Sequence, residues 1–206
     1  MADNYLEKKY AETFGPDAKS KVVVKRSYPS IDTLLHRNRS HRGFDASVAV
    51  SENQLMEIIR VNTLAPSAGN RQTLRFRAVT GEDAGKVMAL LKLGGALPEL
   101  HLPAEGEEPK AFIVACSTAP ETRYVDMDLG ISLQSMGLNA LIVCAFDKEK
   151  LQSALDLPFA PLAVLAVGKG TDTIFLKPVR AGESLAYYRK DGVHYVPKIE
   201  PEDLLV

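Results

Sequence analysis

Residues 39–72 read RSHRGFDASVAVSENQLMEIIRVNTLAPSAGNRQ, and the two ends of this stretch decide the fold. The first end completes a basic run in which positions 36–42 hold two His and three Arg, with Ser40 among them. Guanidinium groups fork onto phosphate oxygens and a hydroxyl adds a further donor, so a small phosphate at a helix end would suit this run. A solvated basic face between helices is the other reading of the same residues. The second end, 65–72, is a loop of small residues. Small side chains let a planar ligand approach the backbone, and Asn70 and Gln72 offer the paired donors and acceptors that a heterocycle edge needs. A plain turn would use the same residues. Between the two ends, Ser51 and Gln54 form a capping box that opens a helix with Leu55, Ile58, Ile59 and Asn62 on or near one face; Pro66 follows it.

Outward from this stretch, residues 1–29 are polar and weakly patterned and read as an arm, with a single domain expected over 30–206. Ser30 is placed to cap a short helix through Ile31, Leu34 and Leu35. Downstream, 76–80 alternates like a strand, 83–93 reads as a helix closed by Gly94-Gly95, and 94–110 looks like a surface excursion. The continuous apolar run 111–117 suits a central strand. A helical period covers 121–138, a second apolar run 139–146, a short helix 148–155 and a third apolar run 161–167. From Thr171 the pattern is irregular. Helices interleaved with buried strands imply a layered α/β or α+β fold.

Composition excludes several classes. The 206 residues carry 25 Lys+Arg against 26 Asp+Glu, a net charge of −1, which argues against a basic coat for nucleic acid. No apolar run approaches the roughly 18 residues that cross a membrane, and the N-terminus lacks the apolar centre of a signal peptide. Cys116 and Cys144 stand in apolar runs without a CxxC neighbour, so buried thiols of a cytoplasmic protein are expected and no metal site is. No GxSxG elbow is present, and Gly168-Lys169-Gly170 lacks the pattern of a phosphate-binding P-loop. Asp126 and Asp128 would serve an acid/base pair, but acids also favour a helix's first turn.

Taken together, Arg39-Ser40-x-Arg42-x-Phe44, the capped helix and Ala65-Pro66-Ser67-x-x-Asn70-x-Gln72 resemble the nitroreductase family of FMN-dependent oxidoreductases. Asp126-Met127-Asp128-Leu129-Gly130, Gly137-Leu138-Asn139, the run 161–168 and His194 to Lys198 are similar to later segments of that family. The resemblance covers roughly residues 31–206. It implies an α+β fold, a three-layer α-β-α sandwich with a mixed β-sheet flanked by helices, in an intertwined homodimer. It further implies two FMN molecules at the subunit interface, with NADH or NADPH as electron donor. An electron-poor small molecule, such as a nitroaromatic or quinone, would be the acceptor in ping-pong turnover. No nucleic acid or membrane partner is implied.

Carried over by position, Arg39, Ser40 and Arg42 match the segment that grips the FMN phosphate and ribityl chain. Arg42 also falls where a cation meets the flavin N1/O2 edge. Pro66, Ser67, Ala68, Asn70 and Gln72 match a loop supplied by the other subunit. Cys144 and Ala145 match a strand end near flavin N5, and Lys198 matches a C-terminal cation that reaches the phosphate. The flavin does the chemistry, so no catalytic side chain is implied.

The chain departs from the family pattern at Asn38, where an Arg is usual and Arg37 stands one position earlier. It departs again at Thr73-Leu74 in place of Pro-Trp, and at Cys144-Ala145 where Gly or Glu is usual. The short 94–110 segment implies an open pocket. Two other functions fit the residues: a flavin carrier or sensor without turnover, and a basic-patch module for phospho-ligands or nucleic acid.

Overall fold

Ala111–Ser117 is buried at all seven positions, so this strand has cover on both faces and a partner along each edge. The computed structural model describes residues 30–61, 72–95, 97–119 and 138–205. The chain divides after Ser30, and the unit Ile31–Val206 holds every element of the described fold. The elements in order are α1 (Ile31–Arg37), α2 (Glu52–Val61), β1 (Leu74–Val79), α3 (Gly81–Met88), β2 (Ala111–Ser117), β3 (Asn139–Val143), α4 (Lys148–Ala154), β4 (Ala160–Gly168), β5 (Thr173–Val179), β6 (Tyr188–Lys190) and β7 (Val193–Ile199). Single 3-10 turns stand at Pro98–Leu100 and Pro201–Leu204. The expected arm 1–29, the loop residues 65–71 and the helix 121–137 lie outside the described residues.

The main sheet runs β1-β2-β4-β3, and all three of its pairings are antiparallel. Alternation along β2 sends its residues to two different cores. Phe112, Val114 and Cys116 join Val87 of α3 and Leu151 of α4, while Ala111 and Ile113 join Leu55 and Ile58 of α2. Helices therefore cover both faces of the sheet. Leu55, Ile58, Val87 and Leu151 are each fully buried, worth about 1.5–3 kcal/mol apiece on area grounds.

Local signals account for the starts of α2 and α4. The Ser51 amide donates to Gln54 Oε1 at 2.8 Å and the Gln54 amide donates to Ser51 Oγ at 3.3 Å, which is the reciprocal capping box. Asp147 caps α4 by accepting from the Lys150 amide at 3.1 Å.

Four expectations are corrected. The stretch after Thr171 is a second sheet, ordered β5-β7-β6, with β5 parallel to β7 and β6 antiparallel to it. Among the described residues, parallel pairing between strands is thus confined to this small sheet, and the expected single mixed sheet is two sheets. β5 alternates between exposed and half-buried positions as far as Lys177 and is buried only at Val179, and β6 is exposed throughout, so neither presents an apolar run. The helix expected over 83–93 spans Gly81–Met88, and Leu91 beyond it bridges to Phe146. The run expected to extend to 146 stops as a strand at Val143, which leaves Cys144 exposed rather than buried.

Two glycines bring the basic segment onto the sheet. A Cβ at Gly168 would stand 2.8 Å from the Phe44 ring, and one at Gly170 would stand 2.1 Å from His41 Nδ1. Only glycine admits both side chains at these distances. Backbone bonds then stitch the segment down. His41 N–H donates to Ala140 O at 3.0 Å, Asp45 N–H to Lys169 O at 2.7 Å, and Thr171 N–H to Gly43 O at 3.1 Å.

Candidate functional site: a cationic pocket between the basic segment and the second sheet

The stitched segment places Asn38, Arg39, Ser40 and Arg42 along one side of a pocket of about 250 Å³. The other side comes from the second sheet and the loop before β6: Ile174, Tyr187, His194, Val196 and Lys198. Parity explains the second set. Residues 194, 196 and 198 alternate along β7 onto one face, and Ile174 faces the same way from β5, whose register pairs it with His194. The opposite face carries an aromatic row in which Tyr188 stacks on Tyr195 at 4.7 Å and Phe175 meets Tyr195 edge-on at 5.7 Å.

Arg42 is 8 % exposed and held from three directions. Its backbone N–H donates to Asp172 Oδ2 at 2.6 Å, its Nη1 lies 3.2 Å from His194 Nε2, and its guanidinium sits 5.3 Å from the centre of the Tyr187 ring. Asp172 also accepts from Arg189 Nη2 and stands 3.9 Å from His41 Nδ1. Arg39 Nη2 donates to the Leu35 carbonyl, while its buried Nε has no partner.

Burial pushes the pKa values of Arg39 and Arg42 down from the ordinary guanidinium range. A guanidinium stays protonated regardless, so the desolvation instead favours an anion beside it. Among the described residues no carboxylate lines the pocket, and Asp172 is occupied behind Arg42. Burial, with Arg42 and Arg189 adding to it, also holds His194 below the ordinary 6.5; His41 is lowered chiefly by burial and raised in part by Asp172. The arrangement is a concave site with three cations, a hydroxyl and an unpartnered guanidinium N–H. It suits a compact, strongly charged anion such as a phosphate monoester.

Of the residues expected from sequence, the structure brings together Arg39, Ser40, Arg42 and Lys198. Gln72, Cys144 and Ala145 do not line this pocket. Gln72 precedes β1 and Cys144 follows β3, which are the two edges of the main sheet, about 14 Å apart by three strand spacings. Pro66, Ser67, Ala68 and Asn70 lie outside the described residues. Asn38, Asp172, Tyr187 and His194 belong to the site and were not expected there. The one available signal was Asp191-Gly192, both with positive φ (52° and 76°), a two-residue hairpin turn that announces β6 and β7.

Among the described residues no helix is long and apolar enough to cross a membrane, and no cluster of His, Cys, Asp or Glu could hold a metal ion.

Residues 35–108 match the sequence model of the Nitroreductase family. No curated protein matches the chain in sequence. Among solved structures, a mutant of the FMN- and NADPH-dependent nitroreductase NfnB from Sphingopyxis sp. strain HMH is similar, with 17% identity, TM-score 0.57 and coverage of 69% of this chain and 89% of that one. An FMN-dependent nitroreductase from Clostridium difficile gives 16% identity, TM-score 0.54 and coverage of 68% and 87%. A nitroreductase family protein from Clostridium novyi NT gives 19% identity, TM-score 0.53 and coverage of 68% and 84%. Over residues 35–108 the chain resembles the Nitroreductase family, and it shares its fold with these structures.

Proposed function

We propose that this protein is an FMN-dependent oxidoreductase that works as a cytoplasmic homodimer of α-β-α sandwich subunits, with residues 30–206 as its single flavin-binding domain. One observation carries the reading. Arg39, Ser40 and Arg42, from the basic segment, and Lys198, from the far end of the chain, line one pocket in which no described carboxylate takes part and Arg39 Nε has no partner. This donor set fits the phosphate monoester of FMN. When bound, FMN supplies the redox chemistry, taking hydride from NADH or NADPH and delivering it to an electron-poor acceptor such as a nitroaromatic or quinone.

The chain's own residues bind and orient. Arg39, Arg42 and Lys198 face the phosphate as cations, and Ser40 adds a hydroxyl donor. Arg42 presents a fixed positive charge that is already desolvated, the condition under which a charge acts most strongly on a nearby group. In the family pattern this charge meets the flavin N1/O2 edge. Gln72 and the adjoining loop residues Pro66, Ser67, Ala68 and Asn70 are assigned to the partner subunit's site. This assignment agrees with Gln72 lying on the sheet edge opposite Cys144 and Ala145, which are assigned to the flavin N5 edge.

Purified protein is expected to be yellow or to take up FMN on titration, and the bound flavin to bleach anaerobically with NADH or NADPH. Arg42→Ala should weaken FMN binding by about tenfold to a hundredfold, read by flavin fluorescence. Mixing Asn70 and Arg42 variants should restore one intact site per heterodimer. A colourless protein that does not bind FMN would sink the proposal; binding without bleaching would leave a flavin carrier.

A further inference from the structure

Arg42 sits 3.2 Å from His194 Nε2, and an arginine can only donate. Nε2 must therefore be the acceptor, which makes the ring neutral and puts its proton on Nδ1. His194 is 2 % exposed and lies on the pocket face of β7, between Ile174 of β5 and the Arg42 segment. Tyr187 approaches its ring at 5.7 Å. The charged and titratable groups around it are Arg42 and His41 from the basic segment, Asp172 from the loop before β5, Tyr187 from the loop before β6, and Arg189 from β6. Its Nδ1 is buried without a partner, a cost that core packing alone does not explain. A buried apolar side chain of similar volume would fill the same space without it.

We infer that His194 is a positioning residue, whose Nε2 lone pair holds the Arg42 guanidinium in the orientation from which it meets the anion. This inference rests on the flavin reading for the identity of that anion. Asp172 fixes the Arg42 backbone and the Tyr187 ring covers the guanidinium, so Nε2 is the in-plane partner that sets rotation about the side chain's end. The remaining N–H groups of Arg42 are then the ones left for the ligand. A protonated His194 has no lone pair and carries a second cation against Arg42, so the imidazole acts only while neutral.

The test uses the full-length protein, FMN fluorescence titration and ¹⁵N NMR of the imidazole. His194→Leu should weaken FMN binding by about tenfold or more, while His194→Gln, which carries an acceptor oxygen, should restore affinity to within about threefold of wild type. Thermal melts identify folded variants. In wild type at pH 7 the His194 ring should be neutral with the proton on Nδ1, and Arg42→Met should raise its pKa; this measurement needs no His194 variant to fold. Equal FMN affinities for wild type, His194→Leu and His194→Gln would overturn the inference and leave the flavin reading standing. So would a protonated or Nε2–H ring. A wild type that takes up no FMN would overturn the flavin reading itself, and with it the anion that His194 is argued to serve.

Discussion

The two sheets are built on opposite terms. In the main sheet β2 is buried at every position and β4 at nearly every one, with helices on both faces. In the second sheet β6 is exposed throughout, β5 alternates, and the inward residues of β7 face a cationic pocket rather than a core. The first sheet carries the buried core and the second supplies one side of the pocket. Toward the Arg42 segment the second is secured by a few polar contacts, Asp172 to Arg42 and to Arg189 above all. A site wall of this kind can be polar because its ligand, not a helix, completes it.

The largest loss is expected in the main sheet. Phe112 is fully buried at the centre of the sheet's core, and Phe112→Ala should cost about 3–5 kcal/mol, seen as a lower denaturant midpoint. A loss below about 1 kcal/mol would mean that this strand is not the core.

Next in size is the seam between the sheets. Gly170→Ala puts a Cβ against the buried His41 ring, at an overpacking cost of about 1–3 kcal/mol. Reduced freedom of the unfolded chain returns only about 0.4–1 kcal/mol, so the clash wins. On the proposed flavin reading, FMN affinity should fall with stability, because His41 shares one segment with the pocket residues Arg39, Ser40 and Arg42. An unchanged affinity would separate the seam from the site.

Acid acts on the same seam. His41 and His194 are both held below the ordinary 6.5, chiefly by burial. Below pH 6.5 the unfolded chain takes up protons that the folded chain refuses, so stability should fall as pH drops through 6.5 toward the depressed folded values. Asp45, Asp83 and Asp147 have lowered pKa values from their hydrogen bonds and act in the separate window below their ordinary 3.8. Unfolding midpoints measured between pH 5 and 8 check this, and His194→Gln should flatten the slope.

The smallest effect belongs on the outer face of the second sheet. Phe175 is 52 % exposed and meets Tyr195 edge-on, so Phe175→Ala should cost about 0.5–1 kcal/mol and leave FMN affinity alone. A loss as large as that of Phe112→Ala would show a buried interface there.

Legibility in the sequence follows the same division. The apolar runs that became β2 and β4, and the Ser51–Gln54 box that opens α2, can be read locally because burial on both faces and capping each leave a local signature. Arg39, Ser40 and Arg42 are legible as a cationic cluster with a hydroxyl, and Lys198 only through its family resemblance. His194, Tyr187 and Asp172 are not legible: their roles come from partners far away in the chain, such as Arg42, and a strand facing a pocket has no apolar run to betray it. Cys144 misleads because the apolar run around it continues past Val143, where the strand stops.

By itself, then, the sequence determined the central strands, the capped helix, the concentration of cations at 36–42 and the family likeness, because each is written in neighbouring residues. Tertiary structure alone decided that Gly168 and Gly170 admit Phe44 and His41. It decided too that the chain after Thr171 is a sheet and that its inner face meets Arg42. The contacts of Phe44, His41 and Arg42 join segments more than a hundred residues apart, and no local pattern carries that distance; within the sheet itself, β5 pairs with β7 across about twenty residues, and only the Asp191-Gly192 turn marks it locally.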